Sequence, residues 1–231
     1  MDKSKIKILL VDDDPDVIEI LSYNLSSDGY QIFTANDGLK AVRKSKECRP
    51  HLIIMDVMMP NMDGIEACEE LRKKSKFNNT IIMFLSARGE DFSYVSAFDA
   101  GADDYVTKPI KPKVLMSKVK SLLRRSKTFE KTDDVLEVGN FKIDRERYSV
   151  VNNSKKFSLP RKEFELLFLL VSNNEKVITR QEIMNQIWGS EVLVGDRTID
   201  VHIRKLREKF GNEYFKTIKG VGYKFEFNKK I

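Results

Sequence analysis

Cysteine, histidine and tryptophan are scarce in this 231-residue chain, which holds two, two and one of them. The two thiols, Cys48 and Cys68, stand in no metal-like spacing. That excludes a disulfide-stapled scaffold and a thiolate metal site, and in a reducing compartment both are expected to be free. No apolar run approaches the roughly 20 residues needed to cross a bilayer, and Met1 to Lys7 lacks the apolar core of a signal peptide. A cytoplasmic protein without membrane contact is expected. Internal repeats and low-complexity tracts are absent too. What is there is a chain 41% hydrophobic and 33% charged, the balance of a globular protein with room for two domains.

The net charge of +6 is unevenly placed. Residues 1–126 carry 20 Lys and Arg against 19 Asp and Glu, whereas 127–231 carry 21 against 16. The positive excess points the second half toward nucleic acid.

The first half alternates short apolar runs with segments of helical period. KIKILLV (5–11), YQIFTA (30–35), HLIIM (51–55), TIIMFLS (80–86) and DYVT (104–107) read as strands. Asp14 and Pro15 make a helix start, followed by Val17, Leu21 and Leu25 on one face. Asn36 opens a helix carrying Leu39 and Val42, Met62 or Asp63 opens the next, and Pro112 precedes a last one with Leu115, Val119 and Leu122. Five strands alternating with five helices define an α/β fold, a doubly wound parallel sheet over residues 1–123. The polar stretch from 124 to 134 is the expected linker.

The domain expected over 135–231 is α+β. Short alternating segments with Asn152 and Asn153 as a turn suggest a small antiparallel sheet. Helices at 160–172, 179–188 and 196–210 and a terminal hairpin follow, with Thr179 and Glu182 as a capping box.

The stretch ILLVDDDPDV (8–17) drives four apolar side chains into three adjacent carboxylates. Like charges in a low-dielectric site are costly, so either these acids are solvated caps or a cation belongs beside them. In an open parallel sheet, ligands bind at the carboxyl ends of the strands. Asp12, Asp13, Asp56, Ser86 and Lys108 all fall at such ends. Three acids with few other protein ligands suit Mg²⁺ better than a caged Ca²⁺. A carboxylate can also attack phosphorus while a metal and a lysine neutralise the transferred group, and Asp56, alone on the central strand, is the nucleophile of choice. Asp14 reads as a plain N-cap. The methionines at 55, 58, 59 and 62 read as packing, His51 as structural and Cys68 as part of a helix face.

These residues resemble the receiver domain of two-component response regulators, a flavodoxin-like (CheY-like) fold. The resemblance rests on Asp12 and Asp13, DVMMPNMDG with Asp56, Ser86 in FLSA, Tyr105, and Lys108 before Pro109. It implies a cis peptide between Lys108 and Pro109, the backbone carbonyl of Met58 as a further Mg²⁺ ligand, and a switch in which Ser86 and Tyr105 shift on phosphorylation. It also implies pairing of two receivers. Tyr94 and Val114 stand where the subgroup usually has a basic and an acidic residue, while Asp103, Asp104 and Lys118 remain for the interface. A less salt-bridged, more apolar dimer is expected.

In DRTIDVHIRKLREKF, Ile199, Ile203, Leu206 and Phe210 form one stripe, and Arg197, Thr198, Val201, Arg204 and Lys205 lie opposite, with His202 and Arg207 flanking. Such a basic front suits a major groove. The hairpin FKTIKGVGYKFEF places Lys219 before Gly220 and Gly222, a tip without bulk. Together with LPRKEFELL, these segments resemble the winged helix-turn-helix effector of the OmpR/PhoB subgroup. That resemblance implies backbone contacts by Arg197, His202, Arg204 and Thr217, base contacts by Lys205 and Val201, and a wing contact by Lys219. Lysine at 205 and 219, where arginine is frequent, keeps the charge and loses the bidentate fork. Trp188 reads as core.

The expectation is a DNA-binding response regulator. A cognate sensor histidine kinase phosphorylates Asp56 with Mg²⁺, the receiver dimerises, and the effectors bind double-stranded DNA as direct repeats about one turn apart. RNA polymerase is a further expected partner. Turnover is confined to the receiver's own phosphoryl group, so the protein is not an enzyme in the ordinary sense. Two rivals remain: a regulator of the same build that ignores phosphorylation, and a haloacid-dehalogenase-like phosphatase using VDDDPDV.

Overall fold

The structure, a computed structural model, describes residues 3–87, 96–125, 135–145, 147–188 and 197–227. The chain divides into two compact units, Met1–Glu130 and Lys131–Ile231.

In the first unit, strands β1 (Lys7–Val11), β2 (Gln31–Ala35), β3 (Leu52–Met55), β4 (Ile81–Ser86) and β5 (Asp104–Thr107) pair in parallel in the order β2-β1-β3-β4-β5. β3 and β4 are buried along their whole lengths, as a parallel sheet covered on both faces requires. Helices α1 (Pro15–Ser27), α2 (Gly38–Cys48), α3 (Gly64–Arg72) and α4 (Pro112–Arg125) are described in full, and a helical turn at 96–99 precedes β5. Strand order reverses between β1 and β3. The crevice at their carboxyl ends is therefore where a ligand belongs.

Local chemistry sets the helix starts. Asp14 accepts the Asp16 N–H with Pro15 at the first helical position, and Asp63 accepts the Glu66 N–H. The cap of α2 is Asp37, which accepts the Lys40 N–H, and not Asn36. Leu39 is consequently turned outward, and Ala41, Ser45 and Cys48 form the buried face. Met58 is exposed as well, unlike the buried Met55. His51 Nδ1 accepts the Lys7 N–H, and Cys68 lies buried against the Ala100 carbonyl.

At the amino ends of β4 and β5 sits a buried ion pair. Arg72 Nη2 reaches Asp103 at 2.8 Å, and the same guanidinium donates to the carbonyls of Gly101, Phe77 and Thr80. Asp103 also accepts the Ile82 N–H at 2.9 Å. With all these donors and acceptors matched, the pair escapes the usual penalty for a buried charge.

The second unit opens with an antiparallel sheet of β6 (Val135–Val138), β7 (Phe141–Asp144), β8 (Ser149–Asn152) and β9 (Lys155–Phe157). The β8–β9 turn is formed by Asn153 and Ser154, both at positive φ, while Asn152 ends the strand. Helices α5 (Arg161–Ser172), α6 (Arg180–Ile187) and α7 (Arg197–Phe210) follow, then a hairpin of β11 (Phe215–Ile218) and β12 (Gly222–Phe225). The Thr179–Glu182 capping box opens α6. A short strand unforeseen in the sequence, β10 (Val177–Thr179), joins the hairpin as its third strand. Ile199, Ile203, Leu206 and Phe210 of α7 meet Phe141, Phe164 and Trp188 in one core.

Removing one member of a buried pair strands the other. Arg72→Met is expected to lower the stability of the first unit by about 3–5 kcal/mol in urea unfolding followed by circular dichroism. Adding Asp103→Asn recovers part of the loss.

Candidate functional site

Strand ends bring the acids together. Asp12 follows β1, where its N–H bonds the Ala35 carbonyl at 3.2 Å, and Asp56 follows β3, where its N–H bonds the Val11 carbonyl at 2.8 Å. Ligand oxygens of Asp12, Asp13 and Asp56 all lie within 4.8 Å of one another. Asp12 and Asp56 are buried and Asp13 is exposed. Lys108, at the end of β5, reaches across the crevice: its Nζ lies 2.6 Å from Asp12 and 2.7 Å from Asp56. The Lys108–Pro109 peptide is cis, as the resemblance implies.

The electrostatics follow from this crowding. Burial pushes the Asp12 carboxyl above the ordinary range, and the hydrogen bond from Lys108 offsets this only in part. Burial works against the Lys108 charge, yet hydrogen bonds and attraction from Asp12 and Asp56 outweigh it and hold the ammonium above its usual value. One lysine thus serves two carboxylates.

Gly64 shapes the floor of the rim. A Cβ there would come within 2.1 Å of the Asp56 carbonyl oxygen, so only glycine lets α3 start so close. Met58 donates its N–H to Asp56 Oδ1 at 3.3 Å. Ser86 ends β4, almost wholly buried, and Tyr105 in β5 is buried with its ring 6.4 Å from that of Phe84. The three acids offer only hard oxygen donors, the chemistry that a small divalent cation selects.

The residues expected at a receiver interface are placed differently. Asp103 is held by Arg72, and Asp104 pairs with Lys118 at 2.9 Å; each aspartate is 2% exposed. Both carboxylates are thus engaged within their own chain. The reason is that β5 starts deep in the fold, beside two cations of its own chain. Val114 is exposed on α4, and Tyr94 lies outside the described residues.

In the second unit, α7 turns its apolar stripe inward and Arg204 outward, with Lys205 half-buried beside it. Arg204 lies 3.6 Å from Glu208. Thr217 and Lys219 are exposed on the hairpin, and at Gly220, with φ +73°, nothing lies within 4 Å of where a Cβ would be. The side chain of Arg197 lies outside the described residues. Four residues expected at the DNA are placed differently. His202 is 1% exposed, its ring 5.3 Å from that of Trp188, so it is a core residue. Thr198 and Val201 are buried as well, because the covered arc of α7 is wider than its apolar stripe. Arg207 is turned to its own chain, donating to the Phe215 carbonyl at 2.7 Å and the Thr217 hydroxyl at 2.7 Å.

The parallel sheet with its acid rim, followed by three helices and a hairpin, defines a class: a signal-receiving domain joined to a DNA-binding one. Comparison with known proteins gives the same answer. Residues 8–120 match the response regulator receiver domain, and 154–225 match the C-terminal domain of transcriptional regulatory proteins. The chain is 40% identical to the alkaline phosphatase synthesis transcriptional regulatory protein PhoP of Bacillus subtilis, across 95% of this chain and 96% of that one. It is 37% identical to the phosphate regulon transcriptional regulatory protein PhoB of Rhizobium meliloti, across 95% and 98%. The crystal structure of DrrB from Thermotoga maritima, an OmpR/PhoB homologue, aligns with a TM-score of 0.50 at 32% identity, covering 96% of this chain and 99% of that one. The chain belongs to the OmpR/PhoB-type DNA-binding response regulators and regulates transcription. No helix among the described residues is long and apolar enough to cross a membrane.

Burial, and after it the charges of Lys205, Lys162 and Lys209, lower the His202 pKa from 6.5 to about 3. Between these values the unfolded chain binds a proton that the folded chain refuses, so stability falls as pH falls through that window. The sole tryptophan, Trp188, reports on this unit. Urea unfolding followed by its fluorescence is expected to lose up to about 1.4 kcal/mol per pH unit more in wild type than in His202→Phe.

Proposed function

We propose that Asp56 accepts a phosphoryl group from the phosphohistidine of a sensor kinase, and that this controls DNA binding by the second unit. The observation that carries the reading is the convergence of Asp12, Asp13, Asp56 and Lys108 on the switch point of the sheet. An Asp56 carboxylate oxygen forms the new O–P bond, and the electron pair of the P–N bond leaves with the imidazole nitrogen of the donor. Lys108, already 2.7 Å from Asp56, stays beside the transferred oxygens and balances their charge. Asp12, Asp13, Asp56 and the Met58 carbonyl would hold Mg²⁺, which supplies further charge neutralisation and orientation of the phosphoryl group.

Ser86 hydrogen-bonds the added phosphoryl oxygens. A shift of Ser86 toward those oxygens frees volume that Tyr105, buried in this structure, fills, and the local charge becomes a changed surface. Two receivers pair through the α4 face, where exposed Val114 supplies apolar contact and the charges of Asp104 and Lys118 are largely spent on each other. Pairing raises the effective concentration of the second effector once the first is bound. Arg204, Lys205, Thr217 and Lys219 meet the DNA: the α7 pair in the major groove and the Lys219 tip at the adjacent minor groove.

Intact mass after incubation with acetyl phosphate tests the site. Wild type is expected to gain one phosphoryl group in the presence of Mg²⁺, Asp56→Asn none, and Lys108→Ala one at a rate about a hundredfold lower. An adduct on Asp56→Asn would move the nucleophile elsewhere. A wild type that gains none would favour a regulator that ignores phosphorylation.

A further inference from the structure

One flank of α7 faces the hairpin instead of solvent or core. Asp200 and Arg207 are seven residues apart, two helical turns, and so lie on the same side of the helix. Each holds a different strand. Arg207 binds β11 through the Phe215 carbonyl and the Thr217 hydroxyl. Asp200 binds β12, because its Oδ1 accepts the Tyr223 hydroxyl.

A third element joins the second contact. Arg180, the first residue of α6, reaches Asp200 Oδ1 at 2.7 Å and the Tyr223 hydroxyl at 3.0 Å, with its guanidinium 5.1 Å from the centre of the Tyr223 ring. Its backbone N–H also bonds the Val221 carbonyl at 3.1 Å, next to the tip. Two helices and the hairpin therefore meet at one carboxylate oxygen.

Stability alone does not account for this carboxylate. Its side chain is 49% exposed and that of Arg180 28%, a range in which an ion pair contributes little. An acid in the first turn favours the helix dipole, but any acidic residue there would do so. On a helix that approaches phosphates a negative charge is a liability. What it gains here is geometry: Tyr223 is 3% exposed, and its hydroxyl has one fixed place to go.

We propose that Asp200, acting through Tyr223 and Arg180, is a positioning residue that fixes the wing hairpin relative to α7. It sets the separation between the Arg204–Lys205 face and the Lys219 tip, so that both grooves are met at once. The proposal rests on the reading that α7 and the hairpin hold DNA, and it adds that the two are held at one distance by this latch.

The test is a double-mutant cycle in the full-length chain. The probe is a duplex enriched from a random-sequence pool by the wild-type protein, at one fixed salt concentration. Lys219→Ala is expected to weaken binding about fivefold in wild type, the order expected for one lost phosphate-type contact. In Asp200→Asn and in Tyr223→Phe, where the tip is no longer held in register, the same change is expected to cost less than about twofold. A purely structural role would shift the melting temperature and leave the cost of Lys219→Ala unchanged. An equal fivefold cost in both backgrounds overturns the latch while leaving the DNA face intact. No effect of Lys219→Ala in wild type overturns the DNA-contact reading and the latch with it. Should Asp200→Asn fail to fold, Tyr223→Phe, which keeps the ring and removes one hydroxyl, decides alone.

Discussion

The ammonium of Lys108 is the interaction around which the first unit is arranged. Two of the three clustered acids, Asp12 and Asp56, are buried, and without a cation between them the strands could not end where they do. Its demands run outward through the fold. β5 must lie at the far edge of the sheet to deliver the lysine across β4, and β1 and β3 must be neighbours to bring the carboxylates side by side. The glycine at 64 is needed because α3 begins against the backbone of the same aspartate. Three acids served by one ammonium leave the crevice short of positive charge, which a bound divalent cation would supply.

The second unit solves a different problem, that of presenting a helix outward while holding it rigidly. Its apolar stripe fixes α7 to the core through Ile199, Ile203, Leu206 and Phe210. The stripe alone leaves rotation and tilt soft, since dispersion contacts are weakly directional. Directional groups supply the rest: His202 against Trp188 on one side, and Asp200 and Arg207 against the hairpin on the other. These polar residues hold α7 within the protein, while Arg204 and Lys219 are exposed and Lys205 is half-buried.

Much of this was legible in the sequence, because burial in a parallel sheet imposes unbroken apolar runs and carboxyl-end chemistry falls immediately after them. All five strands of the first unit and the acids and lysine at their ends follow from that pattern. The start of α1 was legible from Asp14 before Pro15 and that of α3 was narrowed to Met62 or Asp63, whereas the one-residue error at Asn36 arose because Asn36 and Asp37 are both competent caps. Partners distant in sequence were not legible. Nothing near Asp103 announces Arg72, 31 residues away, and nothing in a helical wheel shows that Thr198, Val201 and His202 are covered. A wheel gives angles about one axis and is silent on what the neighbouring chain covers. β10 went unseen because three residues carry too little alternation to stand out.

The Arg72 knot lies at the opposite end of β4 and β5 from Ser86 and Lys108. It ties the Asp103 carboxylate, the Ile82 amide and three carbonyls into one cluster, whereas the carboxyl ends, beyond the ladder and the Lys108 N–H bond to the Ser86 carbonyl, carry the Lys108 ammonium turned to Asp12 and Asp56. The two strands are in effect cantilevers, clamped at one end and loaded at the other. A force applied at the tip of such a beam bends the free end most and the root least. Under the proposed phosphorylation of Asp56, a load applied there would act along the rim toward α4 more than at the base of the sheet.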